Sequence, residues 1–243
     1  MTQKRRFWFI WLLPVILMIL FAGGVFYVSD YYHADESALA VLSEEIPGIR
    51  VTKENDWLTF RPEDVKAGLI FYPGGKVEYT AYAPLMKALA EEGFLCVLLK
   101  MPLNLAFLNV NAADAVFADH REVENWYLAG HSLGGVAASL YAEKHTDRLD
   151  GLVLLGSYST VDLKKNNLKV LSIYGSEDGI LNKKEYEKNR KNLPDDLNEV
   201  IIPGGCHAYF GAYGEQKGDG APAISREEQI RITAEEMSQW GRV

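Results

Sequence analysis

The chain is poor in the residues that staple small scaffolds together: among its 243 residues there are two cysteines, Cys96 and Cys206. Two thiols are too few for a disulfide framework or a four-cysteine zinc cluster. Histidine is scarce as well, five in all, so a site built on imidazole has few candidates. No lysine or arginine occurs between Arg6 and Arg50, and no charge of either sign between Phe7 and Ser29. The formal net charge is −8, and with three of the basic residues confined to Lys4-Arg5-Arg6 the remainder is more acidic still. A surface of that sign does not attract phosphate backbones, which excludes nucleic acid as an expected partner. Repeats and low-complexity runs are absent. What is present, 48% hydrophobic and 24% charged residues, suits a globular chain with one sizeable core.

Phe7–Val28 reads FWFIWLLPVILMILFAGGVFYV, uncharged throughout. A helix of that length crosses the roughly 30 Å hydrocarbon core of a bilayer. Lys4-Arg5-Arg6 precedes it, whereas Ser29–Gly48 contains acidic residues and no basic one. The positive-inside rule therefore predicts residues 1–6 in the cytoplasm, a single-pass anchor over 7–28, and an extracytoplasmic remainder at the cell membrane. The competing expectation is a secreted protein cleaved near Ala22-Gly23-Gly24. Signal cores usually run about 7–15 residues, shorter than this one. Pro14 can kink such a span without preventing its insertion. Residues 29–48 read as a polar juxtamembrane linker.

From Ile49 onward, apolar runs alternate with helical patterns. Strands are expected at Ile49–Lys53, Trp57–Arg61, Ala67–Tyr72, Leu95–Lys100, Trp126–Ala129, Leu149–Leu155, Lys169–Tyr174 and Glu199–Ile202. Unbroken runs such as GLVLLG mark strands covered on both faces. Helices are expected at Ala81–Glu92, Ala112–Glu122, Leu133–Lys144, Lys183–Lys191 and Arg226–Trp240, the last opened by the capping box Ser225-Arg226-Glu227-Glu228. Two opening strands followed by βα units predict one α/β domain over 49–243, with a mostly parallel sheet and helices on both faces.

Gly130-His131-Ser132-Leu133-Gly134 is a G-x-S-x-G sequence set between an expected buried strand and an expected helix. That setting is what a nucleophilic serine on a sharp turn requires. The turn strains the Ser132 backbone, needs small neighbours, and holds the hydroxyl at the carboxyl end of the sheet beside the positive end of a helix. A serine hydroxyl needs a base, and the base an orienting acid, following in the order Ser, acid, His. Of the histidines after Ser132, His145 lies in the charged Glu143–Asp147 stretch and reads as solvated, while His207 follows the last strand on a small-residue loop. His207 is the expected base. His131 is adjacent to the serine and reads as turn packing; His33 and His120 precede the motif in polar segments. The acid should end an intervening strand, where Gly175-Ser176-Glu177-Asp178 offers two carboxylates. Asp178 is preferred for its shorter, more rigidly held side chain, with Glu177 in reserve. Asp195 and Asp196 lie in a polar turn. An oxyanion needs two aimed backbone N–H donors. Leu133 is expected to supply one, and the loop Pro73-Gly74-Gly75-Lys76 the other, through Gly75 or else Lys76.

Together these residues resemble the α/β-hydrolase superfamily from Ile49 to the end, and within it the small, lid-less, dienelactone-hydrolase-like branch. Tyr72–Val77, Lys100–Ala106 and His207–Gly220 look like the corresponding stretches of membrane-anchored or secreted bacterial hydrolases. The resemblance implies Ser132, Asp178 and His207 as a triad and Gly75 and Leu133 as oxyanion donors. Pro73 departs from it, standing where many members carry histidine.

The expected function is a serine hydrolase that cleaves an ester, thioester or amide of a small acyl substrate through an acyl-enzyme. The alternatives are an acyltransferase on the same triad and a non-catalytic, membrane-tethered binding protein on a hydrolase fold. No cofactor or metal is expected. Gly218-Asp219-Gly220 provides one carboxylate where calcium takes about six to eight oxygens, and reads as a turn. Residues 156–168 are too few for a cap domain, so the site is expected to be open.

Overall fold

With no charge to interrupt it, the first apolar run forms one helix, α1 (Gln3–Ser29), continuous through Pro14. Its side chains from Leu12 to Val25 are exposed, and the mean hydropathy over Leu12–Ser29 is 2.3. A helix apolar on all sides belongs in a core or a bilayer, and α1 is long and apolar enough to cross a membrane. The computed structural model describes residues 3–54, 56–166 and 168–243. The expected cytoplasmic segment 1–6 thus begins with two residues outside the described ones. The chain divides into two units between Tyr31 and Tyr32.

The second unit starts earlier than the sequence reading has its domain. Residues 29–48, expected as a linker, contain α2 (Glu36–Ser43), N-capped by Asp35, whose carboxylate accepts the N–H groups of Ser37 and Ala38. Ala38 is fully buried, and Val41, Leu42 and Ile46 pack against the core. The 38/41/42 spacing is the i, i+3, i+4 stripe of an amphipathic helix, hidden in the sequence by flanking acids. Tyr32 meanwhile pairs with the segment after the Gly74-Gly75 loop: its N–H donates to Lys76 O (2.8 Å) and its carbonyl accepts from Glu78 N–H (2.8 Å).

The remaining elements are β1 (Ile49–Lys53), β2 (Trp57–Pro62), β3 (Ala67–Tyr72), α3 (Ala83–Glu91), β4 (Phe94–Leu99), α4 (Ala113–Asp119), β5 (Trp126–His131), α5 (Leu133–Ala142), β6 (Gly151–Leu155), β7 (Lys169–Gly175), α6 (Lys183–Asn189), β8 (Asn198–Ile202) and α7 (Arg226–Gly241). Each expected strand and helix has a counterpart, with ends shifted by a few residues. The helix expected from Ala81 starts at Ala83 because Pro84 settles into its first turn. Ser225 caps α7 by accepting Glu228 N–H at 3.1 Å, while the Glu228 carboxylate turns to Arg231 instead of completing the box.

The sheet order is β1-β2-β4-β3-β5-β6-β7-β8. β2 pairs antiparallel with both neighbours, and every pair from β4–β3 to β7–β8 is parallel. Side chains of the central strands alternate between two cores. Leu69, Phe71, Phe94 and Leu98 join one with residues of α3 and α7, whereas Ile70, Tyr72, Leu95 and Val97 join the other with residues of α4 and α5. Burial on both faces explains the unbroken apolar runs. The parallel strands point their carboxyl ends the same way, so the loops after β3, β5, β7 and β8 gather at one edge. Among the described residues, the β6–β7 connection holds one short turn, Lys164–Asn166, and no cap domain.

Candidate active site

Ser132 joins β5 to α5 in a left-handed conformation, φ 51° and ψ −124°. For a non-glycine residue this is strained, and surrounding contacts must hold it. Its N–H donates to Leu155 O (2.9 Å), and its carbonyl accepts the Ser157 hydroxyl (2.7 Å) and Gly135 N–H (3.0 Å). Gly134 is obligatory here, because a Cβ would run into the carbonyl oxygens of Tyr72 and Pro73. That close approach seats the first turn of α5 on the loop after β3.

The loop after β3 was expected to offer Gly75 or Lys76 as a donor. Gly74 N–H donates to the Tyr82 hydroxyl (3.0 Å) and Lys76 N–H to Asn104 O (2.9 Å). Between them, the Gly75 N–H has no hydrogen-bond partner among the described residues. A Cβ on Gly75 would lie 2.9 Å from Leu133 Cδ2, so Gly75 and Leu133 are neighbours. Leu133 is the first residue of α5, where a helix leaves its N–H groups unpaired.

Asp178 and His207 meet at the same edge, from the loops after β7 and β8. His207 Nδ1 lies 2.8 Å from Asp178 Oδ2, with both side chains essentially inaccessible. The other carboxylate oxygen, Oδ1, accepts Ile180 N–H (2.9 Å) and Leu181 N–H (2.7 Å), so the buried acid is well provided with donors. Glu177, the reserve acid, is exposed and accepts a bond from the Ser176 hydroxyl. His207 Nε2, at the far side of the ring, is buried and makes no hydrogen bond, so no Ser132–His207 bond is formed in this structure.

Leu155-Gly156-Ser157 at the end of β6 touches both Ser132 and the Asp178–His207 pair. Leu155 and Ser157 hold the Ser132 backbone, while a Cβ on Gly156 (φ 50°) would sit 2.8 Å from His207 Nδ1 and 3.0 Å from Asp178 Oδ2. The two halves of the site therefore lie on opposite sides of one three-residue segment.

His131 does more than pack the turn. It is fully buried, its ring centroid 4.4 Å from that of His207, and its Nδ1 is 2.8 Å from the Tyr82 hydroxyl. That hydroxyl also accepts Gly74 N–H, so Tyr82 links His131 to the loop after β3. Burial first, and then the neighbouring His207, hold the His131 pKa well below the usual histidine range; it is neutral. Ser157, Tyr82 and His131 carry no local sequence signal for these roles. Neither does Asp219, whose carboxylate accepts backbone N–H groups of Gly179, Ala208 and Gly220. His145, expected to be solvated, is half-buried and stacks on Tyr141.

The sequence profile described as "Alpha/beta hydrolase family" matches residues 68–231, more than half of the chain. The chain belongs to the alpha/beta hydrolase family. This hydrolase-family chain is similar in structure to the dienelactone hydrolase of Anabaena variabilis, at 15% identity and a TM-score of 0.58, covering 79% of this chain and 98% of that one. It is similar to a membrane phospholipase A described as a bacterial virulence factor, at 16% identity and a TM-score of 0.60, covering 96% and 98%. It is similar also to a soluble variant of monoglyceride lipase from Saccharomyces cerevisiae, at 12% identity and a TM-score of 0.57, covering 82% and 96%. Identities this low show a common alpha/beta hydrolase fold and leave the chemistry to be argued from the site. No curated protein sequence matches the chain significantly.

Proposed function

We propose that this alpha/beta hydrolase is a serine hydrolase that cleaves an ester, thioester or amide through an acyl-enzyme. The observation that carries the reading is the buried Asp178–His207 pair, 2.8 Å apart, with Nε2 left without a partner on the side away from the acid. Asp178 fixes the tautomer by accepting from Nδ1–H, which leaves Nε2 as the basic nitrogen. Nε2 takes the Ser132 proton as Oγ attacks the acyl carbon, then returns it to the leaving group; water repeats the cycle and releases the acid. Gly75 and Leu133 direct their N–H groups at the oxyanion. Lys76 is the weaker choice, because its N–H already serves Asn104 O. Removing such a donor costs about 2.7–4 kcal/mol of transition-state stabilisation.

A fluorophosphonate probe tests this directly. It should modify the wild-type protein at Ser132 and leave Ser132→Ala unmodified; a folded wild-type protein that resists the probe contradicts the mechanism. Assaying the unlabelled protein on a chromogenic ester with and without an added alcohol, and identifying the acyl product, separates hydrolysis from acyl transfer.

The resemblance of the loops supports placing the chain in the lid-less, dienelactone-hydrolase-like branch. The charge asymmetry around α1 supports an uncleaved anchor with the catalytic unit outside the cytoplasm. Protease added to intact protoplasts should then digest that unit. Protection would put it on the other side, and a mature N-terminus near Gly24 would make the protein secreted.

A further inference from the structure

We infer that Asp219 is a positioning residue for the acid–base pair, its carboxylate clamping the loop that carries Asp178 to the loop that carries His207. The inference rests on the serine hydrolase reading and names a residue that reading does not use.

Asp178 and His207 leave neighbouring strands on separate loops. Near the sheet the two loops are joined by backbone bonds: Ser176 N–H to Ile202 O and Glu177 N–H to Gly205 O, each 2.9 Å. At the residues that follow Asp178 and His207, Asp219 adds a further connection. Its Oδ1 accepts Gly179 N–H at 3.0 Å, and its Oδ2 accepts Ala208 N–H at 2.8 Å. Gly179 is the residue after Asp178 and Ala208 the residue after His207, so one planar group grips equivalent positions of both loops. Gly220 N–H, at 2.9 Å, completes the set on Oδ1.

The loop bearing Asp219 is pressed against the acid loop. A Cβ on Gly179 would come within 2.7 Å of Gly218 O, and one on Gly220 would strike Glu177 O. Asp219 itself is half-buried. Burial pushes its pKa up, but hydrogen bonds from the N–H groups of Ala208, Gly179, His207 and Gly220 outweigh that and hold it below the usual carboxylate range. The carboxylate stays ionised, with both oxygens available as acceptors. Its neighbour Cys206 is pushed up to about 12, by burial and then by Asp219, so no thiolate competes for the same donors.

Both oxygens matter. An asparagine presents one acceptor and one donor, so either Gly179 or Ala208 would face an N–H group instead of an oxygen. The loops then separate by a fraction of an ångström to an ångström, without emptying any part of the core. A displacement of that size costs up to about a hundredfold in rate when it falls between a catalytic base and its nucleophile.

The test is Asp219→Asn in the full chain, assayed with p-nitrophenyl acetate and a fluorophosphonate. The expected result is a fall in kcat of about ten- to a hundredfold with KM within about twofold, a matching fall in the Ser132 labelling rate, and a shift or broadening of the low-field proton resonance of the His207 Nδ1–H···Asp178 bond. Asp219→Glu keeps both acceptors and should recover part of kcat; it also serves if the asparagine variant fails to fold. Tyr127→Phe, which removes the bond from the Tyr127 hydroxyl to Gly241 O (2.9 Å) at the amino end of β5, controls for lost stability and should leave kcat unchanged. A kcat, labelling rate and low-field proton of wild-type character in folded Asp219→Asn would overturn the inference, as would a loss that Tyr127→Phe reproduces. If wild-type protein is not labelled at all, the hydrolase reading fails separately. The low-field proton still reads the pair in that case, and its persistence unchanged in Asp219→Asn would overturn the clamp too.

Discussion

The two halves of the site are built differently. The proposed nucleophile half is local: Ser132, the proposed donor Leu133 and the obligatory Gly134 are consecutive, and the strain at Ser132 is held by the end of the adjacent β6. The acid–base half is assembled from afar. Asp178 and His207 are 29 residues apart and Asp219 reaches back 40 residues to Gly179. A local turn is specified by small side chains and by what its backbone can tolerate, whereas the distant half depends on hydrogen bonds that exist only once β7 and β8 are neighbours. The first should resist changes elsewhere in the molecule, and the second should be sensitive to them.

The largest effect is expected where the halves must act as one. Ser132→Ala and His207→Ala should each reduce kcat on an activated ester by about 10⁶-fold, and the double variant should be no worse than either. Additive losses in steady-state assays would mean that the two residues do not share a step. Next, Asp178→Asn should cost about 10⁴-fold, because the amide favours the wrong imidazole tautomer. Glu177→Gln should stay within about twofold; a reversed ranking transfers the role to Glu177.

Gly134→Ala attacks the local half through packing. Its methyl has to displace the carbonyls of Tyr72 and Pro73, and overpacking of this kind typically destabilises by about 1–3 kcal/mol. Urea unfolding should show that loss, and wild-type stability would refute the close approach.

The smallest effect is reserved for a change remote from both halves. Asp35 caps α2 and receives Arg226 of α7 at 2.5 Å. Burial pushes its pKa up, but hydrogen bonds from Ser37, Arg226 and Ala38 and the Arg226 charge bring it below the usual range. A carboxyl that binds protons less readily when folded adds stability above its ordinary pKa, near pH 4, and loses it as the pH drops through the lower folded value. Asp35→Asn should therefore melt lower than wild type at pH 7, with a shallower decline below about pH 4, and with kcat unchanged. Equal acid limbs in thermal melts would remove the coupling.

Much of the architecture was legible from local pattern. The strands of the parallel sheet are apolar on both faces, so they stand out as runs with no alternation to interpret, and the elbow is recognisable because its serine and glycines are adjacent in sequence. α2 was not, since its apolar stripe is three residues wide and acidic residues surround it; the Asp35 cap and burial of Ala38 against the core mark it as a helix of the domain. Polar partners fared worst. His131, adjacent to the serine, read as turn packing and also shares a hydrogen bond with the Tyr82 hydroxyl, 49 residues earlier. Asp219 read as a turn residue, which it is, while its carboxylate joins two other loops.

Sequence by itself determined the apolar first helix, the order of strands and helices, and a serine placed on a strained turn. Each of these follows from the chemistry of residues a few positions apart. Tertiary structure alone decided which carboxylate faces His207, that Gly75 lies against Leu133, and that Asp219 spans the loops after β7 and β8. Those are contacts between segments brought together by the sheet, and hydrophobic periodicity, which assigns a residue to a face, carries no information about which distant donor or acceptor will meet it there.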